Sequence, residues 1–585
     1  MRPLKGYFSP RMIRVNIHLA LRRLKIPSSY FLDVLAILIG YFTALGAYIF
    51  IKGIQFLESY ARALLIQMEN PWFFPLIPAF GGLLCGLIVY CFAKEAKGPG
   101  ISEVIYAVLM KGGLIRARVA FAKLCSTVCS LGTLASAGQE GPIVQIGSAI
   151  GSSVGQSLRL KPASIKTLIG CGAAAGIAAT FNAPIGGVIF SLEVILGTFS
   201  PNVFSPIVIA SVISAVTFHQ IHGADKTFLL NVQYTETVME TLGFAMVGIF
   251  CGVIAVIFIR ILDRTEKFFE RITCPVYLKP AIGGFLVGLI ILFYQQVGGS
   301  SYELVESLVS EHSFGFFLLL AFLVLKILAT SITLGSGGSG GVFAPSLVMG
   351  ALVGAIIHGA LSQSYEVSSV GIYVMVGMAA FVSGTTHGSI ASILILCEMT
   401  GHYLYILPLM AGCVTATIVS RSLFEHSIYT IKLFQRGIFL KDGHDVDVLK
   451  TYHVEDLMET DVEEVLLNTP LFEVIPIVHD SEHGFVLVRD ASEDVVGVIS
   501  YYNLTPFILE DTLDHFAEEA MHVTKDFIHE DDMISVAYDM FSMKETEYLL
   551  VRDQRENYAG ILFKKDVKRS YQKALHQKSL DSLSA

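Results

Sequence analysis

A chain of 585 residues that is 53% hydrophobic and only 16% charged, with a mean hydropathy of +0.62, carries more apolar surface than a water-soluble enzyme of that length can bury. A bilayer is the solvent this composition calls for. The net charge of −9 is unevenly placed: Lys441 to Ala585 holds 31 acids against 13 bases, so the rest carries a positive excess, and no nucleic-acid partner is expected.

In chain order, the first thirty residues contain Arg2, Lys5, Arg11, Arg14, Arg22, Arg23 and Lys25 and no acid. The positive-inside rule places such a segment in the cytoplasm, and no apolar run adjoins it as a cleavable signal would require. Apolar stretches long enough to cross a bilayer then recur over 31–440: Phe31 to Ile51, Pro75 to Phe92, Leu242 to Ile261, Ala281 to Phe293 and beyond, and Phe316 to Ile332. Several are short or broken by Gly and Pro, which is tolerated at membrane depth where backbone is buried in protein or lines a watery path. Trp72, between Pro71 and Pro75, reads as an interfacial anchor. The nine cysteines lie between Cys85 and Cys413, none in the tail, and suggest neither a disulfide framework nor a metal site. The acidic tail divides into a linker, 441–452, and two α/β modules, 453–511 and 514–575.

Two internal repeats support this division. In the apolar part, Gly138-Gln139-Glu140-Gly141-Pro142 with Gly147 matches Gly341-Val342-Phe343-Ala344-Pro345 with Gly350. Asn182 to Glu193 matches His387 to Glu398, and Gly98 to Glu103 matches Gly298 to Glu303. Three pairs in one order predict two homologous halves, roughly 31–220 and 235–440, of the inverted kind that meets at a central site. In the tail, Phe485-Val486-Leu487-Val488-Arg489-Asp490 recurs as Tyr548-Leu549-Leu550-Val551-Arg552-Asp553, Gly497 as Gly560 and Asn503 as Asp566.

With Gly98-Pro99-Gly100-Ile101-Ser102, Gly138 to Pro142, Phe181-Asn182-Ala183-Pro184, Gly340 to Pro345 and Tyr429 in this order, the membrane part resembles the CLC family of chloride channels and anion/proton exchangers. The tail resembles a pair of CBS modules. The resemblance implies an all-α polytopic membrane fold of two inverted repeats followed by tandem CBS modules. It also implies a homodimer in the plasma (inner) membrane, with one anion pathway in each subunit and the tail in the cytoplasm.

A dehydrated anion needs donors but not a fixed counter-charge, and helix N-termini supply them. Pro142 and Pro345, read as first helical residues, mark two such starts. The resemblance implies that the anion is held by the N–H groups of Val342 and Phe343, the hydroxyl of Tyr429, and the turn Pro99, Gly100, Ile101. Tyr429 can alternatively be an interfacial belt residue. Glu140, a carboxylate at a Gly-flanked helix start, can block the anion site when ionised and swing away when protonated; its plain alternative is a carboxylate that stabilises the helix dipole. Lys123 either raises the potential felt by anions or snorkels toward the interface.

Three departures from the family pattern bear on mechanism. Gln139 replaces the usual Arg beside Glu140. Val194 occupies the position where exchangers usually carry a second, inward-facing glutamate, and Glu193 next to it points roughly 100° away on a helix. Pro99 stands where chloride-preferring members have Ser, and in the family a proline there accompanies nitrate preference; Pro99 offers neither hydroxyl nor N–H. The Gly335 to Gly341 run lacks the Gly-Lys-Ser/Thr of a nucleotide loop. In the tail, Gly497-Val498-Ile499-Ser500-Tyr501-Tyr502-Asn503 keeps the serine and loses the acid of a CBS nucleotide motif. Gly560-Ile561-Leu562-Phe563-Lys564-Lys565-Asp566 keeps the acid and loses the hydroxyl, so Ser500 and Asp566 form half-complete sites for an adenine nucleotide.

The expectation is therefore transmembrane transport of chloride or a similar small anion, nitrate included, by a passive or weakly proton-coupled route gated by Glu140, with no required cofactor and no enzymatic chemistry. The alternatives are a chloride/proton antiporter that does without the usual internal glutamate, and a CBS-based nucleotide-sensing membrane protein.

Overall fold

The computed structural model describes residues 30–436 except 68–69, 224–236 and 311–313. Beyond that it describes 440–441, 444–445 and 452–569, with breaks at 482–483, 492–493, 510–511, 513, 523–526, 535, 538–539, 542–545, 556 and 568. The basic segment 1–29, most of the linker and the last residues of the second module lie outside the described residues. Two compact units divide at His444/Asp445.

Among the described residues 30–436 the regular elements are helices: α1 (Phe31–Gln67), α2 (Leu76–Phe92), α3 (Ile101–Met110), α4 (Ala117–Gly132), α5 (Glu140–Ser157), α6 (Pro162–Phe181), α7 (Pro184–Phe190, continued by a π-turn Ser191–Leu196), α8 (Pro201–His222) and α9 (Val238–Arg271), then α10 (Lys279–Phe293), α11 (Tyr302–Val309), α12 (Phe316–Gly335), α13 (Phe343–Leu361), α14 (Val370–Thr386), α15 (Ser389–Thr400), α16 (Ile406–Leu423) and α17 (Ile431–Gln435). Eight of the described helical stretches are long and apolar enough to cross a membrane. The 37 residues of α1 reach about 55 Å, well beyond a hydrocarbon core of roughly 30 Å, whereas the ten of α3 reach only about 15 Å. Helices as short as α3 end inside the bundle, where protein must satisfy their terminal N–H and C=O groups.

Element bounds differ from the sequence reading in a regular way. Helices α1 and α9 run past the apolar windows at Ile51 and Ile261, because Glu58, Arg62, Asp263 and Lys267 pair at i,i+4 spacing and carry the helix onward. The stretch from Ala281 stops at Phe293, where Tyr294 (φ −136°, ψ 78°) leaves the helical conformation. Pro142 and Pro345 are third, not first, helical residues, since the helices begin at Glu140 and Phe343. The first four N–H groups of a helix have no partner within it, so proline costs no hydrogen bond at the third position either. Asn182 and His387 adopt the left-handed conformation (φ 55° and 59°) that ends one helix and starts the next at the same point of each half.

The two halves are built alike. A Cβ on Gly147 would lie 2.1 Å from the carbonyl of Gly172, and one on Gly350 would lie 2.1 Å from that of Gly377. Thus α5 crosses α6, and α13 crosses α14, at backbone contact that only glycine permits.

The tail contains two three-stranded sheets, β1 (Glu464–Leu466), β2 (Phe485–Arg489) and β3 (Val495–Ser500), then β4 (Phe527–His529), β5 (Tyr548–Arg552) and β6 (Tyr558–Phe563). In each, the first pair is parallel and the second antiparallel, with Glu464 opposite Leu487 as Phe527 is opposite Leu550. The modules exchange flanking segments. His453 bridges Met533 and Glu459 bridges Ile561, while Pro470 bridges Phe516 and Val498 bridges His522. The division 453–511/514–575 cuts the chain in order, but the packing crosses it, because each core takes apolar residues from the other's flank: Val454 packs with Ile528, and Ala517 with Val465.

Gly377→Ala is expected to destabilise the membrane unit by about 1–3 kcal/mol, since the added methyl meets the α13 backbone rather than a movable side chain. A lowered thermal transition of the detergent-solubilised protein, relative to wild type, is the measurement.

Candidate functional site

Three helix starts converge around one pair of glycines. Gly138 N–H donates to the Gly341 carbonyl at 2.8 Å and Gly341 N–H donates to Gly138 at 2.6 Å, an antiparallel bridge between the signature turns of the two halves. The turn before α3 joins them: Gly98 bridges Ser339, and a Cβ on Gly141 would lie 2.3 Å from the Pro99 carbonyl and 3.2 Å from Gly341 Cα. Gly100, at φ +89°, makes the left-handed step into Ile101. Pro99, Gly100, Ile101, Glu140, Val342 and Phe343 are therefore brought together.

Reciprocal polar contacts brace the junction. Lys123 on α4 is buried and donates to the carbonyls of Ala96 and Gly98, so it does not snorkel. Its counterpart, Lys326 on α12, donates to Val297 O at 3.0 Å, Gly299 O at 2.9 Å and Ser301 Oγ at 2.7 Å. Thr127 meets Ser339 at 2.7 Å across the halves, and Ser136 meets Thr330 at 3.3 Å. These pairs correct the third repeat match by one residue. Gly98 and Gly100 correspond to Gly299 and Ser301, all at positive φ, and the helix starts Ile101 and Tyr302 correspond in turn.

Glu140 sits buried at the start of α5. Its Oε2 accepts the N–H of Ala344 at 3.3 Å and its Oε1 accepts the hydroxyl of Tyr302 at 2.9 Å. An isolated carboxylate withdrawn from water is costly, and these donors with the positive ends of α5 and α13 are its compensation. The Phe343 ring packs on Phe181 (centroids 5.1 Å apart) and Phe190 (6.4 Å), and Phe190 packs on Tyr429 (6.5 Å). Tyr429 lies not in a membrane span but in the turn between α16 and α17, fully buried, and its hydroxyl has no partner among the described residues. That excludes a place in the interfacial belt and leaves a donor available in the interior. Tyr302 escaped the sequence reading; extending the third repeat match in its true register would have aligned it with Ile101.

The position lacking the usual acid, Val194, falls in the π-turn after α7 and packs against Gly388, where an added Cβ would lie 2.8 Å from Val194 Cγ2. Glu193 accepts the N–H groups of Ile390 (3.3 Å) and Ala391 (2.8 Å) at the start of α15, while Glu398 of the other half accepts those of Ile185 (3.0 Å) and Gly186 (2.7 Å) at the start of α7. The two glutamates are exchanged caps. Close to Gly98, a cavity of about 240 Å³ is lined by charges: Lys432 bonds Glu266 at 2.9 Å, Lys97 faces Glu266 at 3.6 Å, and Arg436 pairs with Glu103. In the tail, Ser500 donates to Asn503 Oδ1 at 2.5 Å, and Asp566 Oδ2 is unpartnered among the described residues.

A family model described as "Voltage gated chloride channel" matches residues 81–421, and one described as "CBS domain" matches 454–510. The chain belongs to the voltage-gated chloride channel (CLC) family. Within it, the chain is 32% identical over 385 residues to a putative ClcB-like chloride channel protein of Ralstonia nicotianae, covering 64% of this chain and 87% of that protein. It is 30% identical over 412 residues to the voltage-gated ClC-type chloride channel ClcB of Salmonella typhimurium, covering 68% and 97%. Among solved structures, a slow cyanobacterial Cl−/H+ antiporter matches with TM-score 0.64 at 26% identity over 70% of this chain and 98% of that one. A eukaryotic CLC transporter shares the fold at TM-score 0.66 and 20% identity over 92% and 99%. The CLC chain is thus an integral membrane transport protein, not an enzyme, with a C-terminal CBS pair.

Tyr429→Phe removes a buried hydroxyl that bonds no described residue, so folding stability is expected to stay within about 0.5 kcal/mol of wild type. A thermal melt of the detergent-solubilised protein beside wild type tests it.

Proposed function

We propose that this CLC protein conducts chloride and similar small anions, nitrate among them, along a passive or weakly proton-coupled route that Glu140 closes when ionised and opens when protonated. The observation that carries this reading is the position of the Glu140 carboxylate. It is buried where α5 and α13 begin and bonded to an N–H of α13, so it takes donors that a permeating anion needs. A proton cancels the charge that holds it there, and flux rises as pH falls. The anion then uses the N–H groups of Val342 and Phe343, the Tyr429 hydroxyl and the N–H groups of Gly100 and Ile101. Pro99 adds no donor, which weakens discrimination in favour of chloride.

The second reading is a chloride/proton antiporter, supported by the likeness to the slow cyanobacterial Cl−/H+ antiporter. Its proton route would have to pass Val194 without help from Glu193, which is already committed to α15. We also propose a homodimer with one pathway in each subunit, in the plasma (inner) membrane, with the basic N-terminal segment and the acidic tail in the cytoplasm. For the tail, adenine nucleotide is a candidate effector through Asp566, not a required cofactor; calorimetric titration of the purified protein with ATP tests it.

Reconstitution into liposomes with simultaneous chloride and proton recording separates the two transport readings. Anion flux with no fixed proton stoichiometry is expected; uphill proton movement driven by a chloride gradient at constant stoichiometry would establish the antiporter. A single titrating carboxylate changes its protonated fraction about tenfold per pH unit above its midpoint, so wild-type flux should steepen toward that slope with rising pH, and Glu140→Gln should be flat and high throughout. Retained pH dependence in Glu140→Gln would place the gate elsewhere. Pro99→Ser should move the chloride-to-nitrate flux ratio several-fold toward chloride, as one hydroxyl donor is restored.

A further inference from the structure

The gate carboxylate has two oxygens held from two directions. Ala344 N–H takes one, and the Tyr302 phenol takes the other at 2.9 Å. Tyr302 is the first residue of α11, and its backbone is fixed by the turn that precedes it. Ser301 stands at φ +60°, its hydroxyl donates to Gly298 O at 3.1 Å and accepts from buried Lys326 at 2.7 Å, and Gly299 N–H donates to Leu134 O at 3.2 Å in the other half. The phenol is therefore presented by a braced junction rather than by a free loop. In the first half the matching position is Ile101, which offers only backbone; the second half places a side-chain donor there instead.

A phenol donates more strongly to a carboxylate than to a carboxylic acid. We infer that Tyr302 is a positioning residue that clasps Glu140 in its ionised, blocking pose, and that this clasp sets the pH at which the pathway opens. The inference rests on reading Glu140 as the gate. The other titratable and charged groups around Glu140 are differently engaged. Tyr429, from the turn after α16, packs on Phe190, which in turn packs on Phe343 at the start of α13. Lys326 on α12 acts behind the clasp through Ser301, and Lys123 on α4 is bonded to the Ala96 and Gly98 carbonyls. From α13 come the backbone of Ala344 and the ring of Phe343, neither of which titrates.

Tyr302→Phe keeps the ring and deletes the donor. Losing a bond to the ionised form favours the protonated form, so the midpoint of the flux-versus-pH curve in liposomes should move up by about one pH unit. A ring-fluorinated tyrosine at 302, a stronger donor of the same shape, should move the midpoint the opposite way. In a Glu140→Gln background, Tyr302→Phe should leave the flat profile flat. Unmoved midpoints in both Tyr302 variants, with Glu140→Gln abolishing pH dependence, would overturn the clasp and leave the gate standing. If Glu140→Gln retains wild-type pH dependence, the gate reading and the clasp fall together. Should Tyr302→Phe yield no folded protein, the fluorinated variant decides alone, a downward shift supporting the clasp and an unmoved midpoint overturning it.

Discussion

Two hydrogen bonds between Gly138 and Gly341 hold the start of α5 against the start of α13. Deep in an apolar bundle, a backbone N–H without a partner costs far more than it would at a wet surface, so a helix end survives there only if something satisfies it. The bridge lets each half satisfy the other at the base of the two turns, and the N–H groups just beyond, at Val342, Phe343 and Ala344, have no carbonyl of their own helix to bond. Glu140 uses one of them. On the proposed function, gate and anion site are two uses of one set of donors.

Around this bridge, reciprocity recurs. Lys123 and Lys326 each brace the turn of their own half, Thr127 and Ser136 reach Ser339 and Thr330 across the halves, and Glu193 and Glu398 cap each other's partner helices. Each of these is a pseudo-two-fold pair. Their common effect is that formal charges near the junction are spent on holding backbone in place, and the proposed anion site is left with dipoles and neutral hydroxyls. A binding site made that way can hold an ion briefly and let it go.

The symmetry is broken where function demands a difference. One half carries the Glu140 carboxylate at the helix start where the other has Phe343. One turn ends in Ile101 and the other in Tyr302. Pro99 removes a backbone donor from the first turn, whereas Ser300, at the matching place, retains its own. An inverted repeat gives a scaffold with equivalent ends, and these substitutions make the ends unlike.

The spans, the two halves, the paired tail modules and most of the site were legible in the sequence, because they depend on local signals: apolar runs, glycines where backbones touch, and motifs carried in order. Glu140, Phe343 and the Pro99 turn announced themselves by neighbours along the chain. Tyr302 did not, since nothing near it in sequence marks it and its partner lies 162 residues away. The burial of Tyr429, the exchange of flanking segments between the tail modules and the roles of Lys123, Lys326 and Glu193 were likewise decided by tertiary structure. Local pattern determines which backbone groups are left without partners; only the folded chain determines which distant side chain arrives to meet them.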